Sequence, residues 1–268
     1  MGEIVAAIVC SHAPGITAFP APEEQKAAVH GGFAQAREVL AAARPDVILA
    51  VSCEHFVNFF LDNFPAYCIG LGPTHWGPIE DNLNIPKGDV TGHPEFARAV
   101  LETAYAGGVE PAFAERLLLD HATSLPLHLL RPEGDIPVVP LLQNCLVPPL
   151  PTLPRCFHLG QLIRRAADAW PGRVALIGTG GLSHSPGAPE AGYIDEAFDH
   201  EFLDLLAKGD GEAIAAIPDE RIDRAGFGTW EIRQWVTVLG AVPERKGRVL
   251  AYQPVRSWYT GCAVAVLE

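Results

Sequence analysis

The chain has 268 residues, 49% of them hydrophobic and 19% charged, which is enough apolar material for a sizeable core in a single α/β domain. Its net charge of −13 argues against nucleic acid or an anionic membrane as a partner, because both demand clustered Lys and Arg. There is neither a charged-then-apolar leader nor an apolar run approaching ~18 residues, so a cytoplasmic protein without a membrane span is expected.

Strand and helix signals alternate along the chain. This predicts an α/β fold with a central, mostly parallel or mixed sheet flanked by helices, built as one domain over residues 1–268. A strand over 3–10 runs into Ser11-His12. A helix over 23–43 follows Pro20-Ala21-Pro22 and carries Glu23 and Glu24 in its first turn. A second strand over 46–53 runs into Glu54-His55, and a third covers 66–71. Residues 72–92, rich in Gly, Pro and Asn, are expected to form a loop over the sheet edge or a pocket. A helix over 93–107 ends at Gly107-Gly108. Beyond a strand over 137–143, the proline-rich stretch 147–154 reads as an extended connection. Helices over 158–169, 193–208 and 229–240 and strands over 173–178, 248–253 and 261–267 complete the pattern. The runs VILAVSC and RVALIGT have the continuous apolar character of strands buried on both faces.

The six cysteines include no C-x-x-C pair, and four (Cys10, Cys53, Cys68 and Cys145) lie in or beside apolar strand-like segments. They read as reduced core residues. A thiol of Cys10 or Cys53 that points into the sheet would be no ligand.

Five residues could carry chemistry. His12 and His55 each follow the end of an apolar strand, where ligands gather in open α/β sheets. Either one alone reads more readily as structural, but their matched placement points to a shared metal site. Glu231, in Gly226-Phe227-Gly228-Thr229-Trp230-Glu231-Ile232, is expected in the first turn of a helix capped by Thr229. Together with the two histidines it would complete a 2-His-1-carboxylate triad, the donor set of non-haem Fe(II) oxygen chemistry. His184 follows the glycine-rich strand exit Gly178-Thr179-Gly180-Gly181, which matches neither a dinucleotide fingerprint nor a P-loop. It would serve as a proton acceptor. His121, beside Asp120, fits a helix start and a proton donor equally well. Phe56, Phe59, Phe60, Trp76 and Trp230 suit a flat ring, as would any packed core, and Lys87 and Arg256 could anchor a carboxylate. A zinc hydrolase could use the same three ligands, although the H-E-x-x-H helix pattern is absent. A non-catalytic binding protein is the other alternative.

Taken together, Ser11-His12, Glu54-His55-Phe56, Asn58-Phe59-Phe60, Asp120-His121, Gly178-Thr179-Gly180-Gly181-Leu182-Ser183-His184 and Trp230-Glu231-Ile232 are distinctive. In this order they resemble the class III extradiol ring-cleavage dioxygenases. The resemblance runs from residue 4 to about residue 260. It implies Fe(II) held by His12, His55 and Glu231, with His184 as general base and His121 as the acid-side histidine. The implied reaction is meta cleavage of a catechol by O2 to a muconic semialdehyde-type product. It also implies a homo-oligomer, in some members with a separate small subunit. Glu54 stands where the resemblance leads one to expect Asp.

Overall fold

The computed structural model describes residues 2–268. Its strands are β1 (Glu3–Cys10), β2 (Val47–Ser52), β3 (Tyr67–Gly70), β4 (Thr74–Gly77), β5 (Gly88–Thr91), β6 (Ala112–Ala114), β7 (Val138–Gln143), β8 (Arg173–Thr179), β9 (Gly247–Val255) and β10 (Thr260–Leu267). Its helices are α1 (Gly15–Ala18), α2 (Glu23–Ala43), α3 (Pro94–Ala106), α4 (His121–Leu130), α5 (Leu153–Ala169), α6 (Glu196–Lys208), α7 (Gly211–Ala215), α8 (Asp219–Arg224) and α9 (Ile232–Ala241).

Eight strands form one mixed sheet in the order β6-β3-β7-β2-β8-β1-β10-β9, flanked by helices as the alternating pattern predicts. The four central strands β7, β2, β8 and β1 are mutually parallel, β10 pairs antiparallel with β1, and β9 pairs antiparallel with β10. The period-2 alternation of β2 assigns its residues to two cores. Val47, Leu49 and Val51 pack with Leu159, Ile163, Trp235 and Val238 of α5 and α9. Ile48 and Ala50 pack with Phe33 and Leu40 of α2 and Leu125 of α4. Burial on both faces therefore accounts for the unbroken apolar run in β2.

Several elements depart from the sequence expectation. Residues 72–92 are not simply a loop: β4 and β5 pair there as an antiparallel hairpin. The proline-rich stretch does not stay extended to residue 154, because α5 begins at Leu153 behind a Thr152 cap, with Pro154 in its first turn where a missing N–H costs nothing. Helix α4 escapes the periodicity reading because Pro126 lies inside it. Thr229 caps no helix. It lies inside a 3-10 turn over Phe227–Glu231 and donates its hydroxyl to Ala225 O at 2.9 Å, and Glu231 is the residue on which α9 starts. All six cysteines are unpaired and buried. Among the described residues no helix is long and apolar enough to cross a membrane.

Candidate active site

The carboxyl ends of β1, β8 and β2 lie side by side, since β8 sits between the other two. Ser11-His12 leaves β1, Cys53-Glu54-His55 leaves β2, and the Gly180–His184 segment leaves β8, so three neighbouring strands deliver their exits to one crevice. Helix α4 brings His121 from its first residue, and α9 brings Glu231 from its start. His12, His55, His121, His184 and Glu231 all line one cavity of about 260 Å³. His121 stacks on His55 with ring centroids 4.3 Å apart, and His12 meets both rings edge-on at 5.8 and 5.5 Å.

Each of the four imidazoles is fixed through Nδ1. Thr179 has a single hydroxyl hydrogen and donates it to Gln234 Oε1 at 2.9 Å, so Thr179 Oγ1 accepts from His12 Nδ1–H at 3.1 Å. His55 Nδ1–H donates to Asp120 Oδ2 at 3.0 Å, and the His55 backbone N–H donates to the same oxygen at 2.7 Å. His184 Nδ1–H donates to Leu182 O at 2.8 Å, because a carbonyl can only accept. His121 Nδ1–H donates to Glu80 Oε1 at 2.7 Å, reinforced by its backbone N–H at 3.0 Å. Every ring is therefore oriented through Nδ1, with Nε2 turned away from that partner.

The Nε2 atoms of His12, His55 and His184 converge on Glu231. Its Oε2 accepts from the Gly181 N–H at 2.8 Å, which leaves Oε1 facing His12 Nε2 at 3.2 Å and His55 Nε2 at 3.6 Å. Burial alone would push the Glu231 carboxyl upward. The facing His12 and His184 more than reverse this, holding it well below the usual carboxylate range and so ionised. Burial lowers His12 and favours its neutral form. Burial would lower His55 too, but Cys53, Asp120 and Glu231 beside it hold it well above the ordinary imidazole value, so positive charge is favoured at the point where the two imidazoles and the carboxylate meet. The donor set therefore fits a divalent metal, which the two histidines and the carboxylate could hold.

Cys53 is closer to this centre than its strand pattern suggests. Its Sγ lies 3.6 Å from Glu231 Oε1, within the same donor cluster. Burial pushes the thiol up to about 12, so near neutrality it stays protonated and is a donor to Glu231 rather than a thiolate ligand.

The glycines of the β8 exit have the backbone freedom their sequence suggested: φ is +96° at Gly180 and +63° at Gly181. Gly228 has a different role. A Cβ there would lie 2.4 Å from His184 Nε2, so only glycine leaves room for the ring. Ser183 donates its backbone N–H and its hydroxyl to the two oxygens of Asp199 on α6, each at 2.9 Å, while Leu182 N–H donates to Gly261 O at 2.8 Å. His184 is thus held from three sides.

Glu54 points away from the metal donors and accepts from the N–H groups of Val57 and Asn58 at 2.9 and 2.6 Å, ordering the turn after β2. The carboxylate of Asp120 is buried, which would raise it. The His55 hydrogen bond and the charges of His55, His121 and His12 hold it instead at about 2. Burial likewise opposes ionisation of Glu80, yet the two His121 hydrogen bonds hold it below its ordinary value.

Sequence reasoning gave no role to Thr179, Gln234 or Glu80. Asp120 was visible only as the neighbour of His121, whereas here it caps α4 through the Ala122 N–H and orients His55. The aromatics suggested for the ring are not the ones present. Phe56, Phe59, Phe60, Trp76 and Trp230 do not line the cavity, while Phe19, Trp258 and Tyr259 do. His75 is fully buried in β4, where its Nδ1 accepts from the Leu117 N–H.

Residues 6–266 match the family described as the catalytic LigB subunit of aromatic ring-opening dioxygenase. The chain belongs to that family and is an aromatic ring-cleaving dioxygenase of the extradiol class. It is 27% identical to a 2,3-dihydroxyphenylpropionate/2,3-dihydroxicinnamic acid 1,2-dioxygenase of Photorhabdus laumondii, over 96% of this chain and 95% of that protein. It is also 27% identical to the like-named enzyme of Escherichia coli K12, with 94% of each chain covered. Among solved structures, an uncharacterized protein from Escherichia coli K12 shares the fold with a TM-score of 0.62 and 15% identity, covering 98% of this chain and 99% of the other.

Proposed function

We propose that the protein is a cytoplasmic, Fe(II)-dependent enzyme that cleaves a catechol-type ring with O2 next to its diol. One catalytic domain over residues 1–268 would do this as a homo-oligomer. The observation that carries the reading is the convergence of His12 Nε2, His55 Nε2 and Glu231 Oε1, each fixed by a hydrogen bond on its other side. These three would hold the iron. When bound, Fe(II) supplies positions for both catechol oxygens and couples the electron-rich ring to O2.

The protein's own side chains manage position and protons. His184 Nε2 carries a lone pair and faces the cavity beside Glu231, at 3.7 Å from Oε2, so it is placed to take a hydroxyl proton from the ring diol. His121, stacked on His55 and lining the same cavity, is placed to return a proton to an oxygen of the opening ring. Glu80 fixes the ring of His121 for that transfer. Pro14, Phe19, Pro186 and Trp258 give the cavity an apolar lining beside the histidines.

Membership of a ring-opening family speaks against a zinc hydrolase, and the presence of all five side chains speaks against a retired binding fold. The test is anaerobic purification, metal quantification, and O2 uptake with visible absorbance over a catechol panel. About one Fe(II) per chain, with O2 consumption and a yellow product, is expected. Zinc in place of iron, or no O2 uptake on any catechol, would overturn the reading.

A further inference from the structure

The cavity that holds the four histidines has two unlike ends. At about 260 Å³ it falls just below the ~300–1,000 Å³ usual for small-molecule sites, so it suits one small ring. Away from the metal donors its wall includes Pro14, Phe19, Pro186, Trp258 and Tyr259, and the hydroxyl of Thr260, also in the lining, is spent on Trp258 O at 3.0 Å. Trp258 is buried, and its Nε1–H is spent on Phe19 O at 3.0 Å, so it offers the cavity hydrocarbon and no donor. Phe19 and Tyr259 are 43% and 48% exposed, which makes the rim as well as the depth aromatic.

No Lys or Arg among the described residues lines the cavity. Lys87 is bound to Asp81 and to Ile79 O, and Arg256 sits on an exposed 3-10 turn outside the lining. A carboxylate tail on the ring would therefore leave water for an apolar wall without a cation to meet it, which is strongly unfavourable.

We infer that the ring diol this chain prefers is monocyclic and bears a short uncharged, apolar substituent, in contrast to the acid named for the relatives. The inference rests on the ring-cleavage reading above for its chemistry, but on the cavity wall alone for its selectivity.

The test compares 3-propylcatechol, 3-(2,3-dihydroxyphenyl)propionamide and 3-(2,3-dihydroxyphenyl)propionate on the Fe(II)-loaded enzyme. Dissociation constants come from anaerobic quenching of tryptophan fluorescence, and kcat/KM from O2 uptake. The propyl compound is expected to bind and turn over at least about tenfold better than the propionate, with the amide between them. Phe19→Arg, at a half-exposed position in extended backbone, is expected to narrow or invert that ratio by improving the propionate. Equal or tighter binding of the propionate by the unaltered enzyme would overturn the inference. Binding in the expected order without O2 uptake on any compound would uphold the selectivity and overturn the ring-cleavage reading instead.

Discussion

Four histidines in this site share one device, a hydrogen bond at Nδ1 that turns Nε2 toward the cavity, and their different acceptors give them different tasks. Asp120, ionised and buried, makes His55 a stronger donor to a metal and fixes its orientation. Asp120→Asn is expected to weaken metal affinity by about 10–100-fold, as loss of such an outer partner typically does, and a competition titration with a chelator measures it. Affinity unchanged in that variant would show that the hydrogen bond does not tune the ligand. His184 rests on a backbone carbonyl and lies outside the three converging donors. His184→Ala should accordingly keep its metal stoichiometry while kcat falls by about 10²–10⁴-fold, the usual worth of a positioned general base. Full turnover in His184→Ala would remove that side chain from the mechanism.

At the scale of elements, what holds the β8 exit in place is helix α6, through Asp199. This carboxylate accepts from Ser183 N–H, Ser183 Oγ–H and Tyr252 O–H at 2.8 to 2.9 Å, so it ties the segment before His184 to β9. Burial raises Asp199 from 3.8 to about 7, outweighing those three hydrogen bonds. The folded state thus binds a proton that the unfolded chain has already released between about pH 4 and pH 7. Stability from this group falls as pH rises through that window and is level above it. Asp199→Asn removes the titration. Urea unfolding at stepped pH should show the unaltered protein losing a few kcal/mol relative to the variant across the window. A difference independent of pH would mean that Asp199 is ionised throughout. The elements themselves were unequally legible in the sequence. β1, β2 and β8 announced themselves because burial on both faces forces continuous apolar runs, and their exits carried His12, His55 and His184 with them. Helix α4 was hidden by Pro126. Glu80 had no local signal, because only the β4–β5 hairpin brings it to His121, 41 positions away. The aromatic wall was equally invisible, since Trp258 and Phe19 meet across 239 positions.

For the molecule as a whole, the donor cluster acts as a cross-link between remote parts of the chain. His12 hangs from β1, His55 from β2 and Glu231 from the start of α9, so one ion would join residues 219 positions apart. It would also neutralise the ionised Glu231 carboxylate enclosed between the two imidazoles. An ion that binds the folded chain and not the unfolded one stabilises it by mass action, by about 2.7 kcal/mol when its free concentration is ~100 times Kd. For a chain of this size that corresponds to a Tm shift of roughly 5–10 °C, at ~2–4 °C per kcal/mol. Thermal unfolding with Fe(II) under anaerobic conditions, then with excess chelator, should show this difference. In Glu231→Ala the same pair of melts should nearly coincide, since two imidazoles alone bind more weakly and the carboxylate that attracts the cation is gone. If the unaltered protein melts at one temperature with and without metal, the three donors do not form a binding site. The positions of His12, His55 and Glu231 would then need another explanation, namely a proton shared between Glu231 and an imidazole.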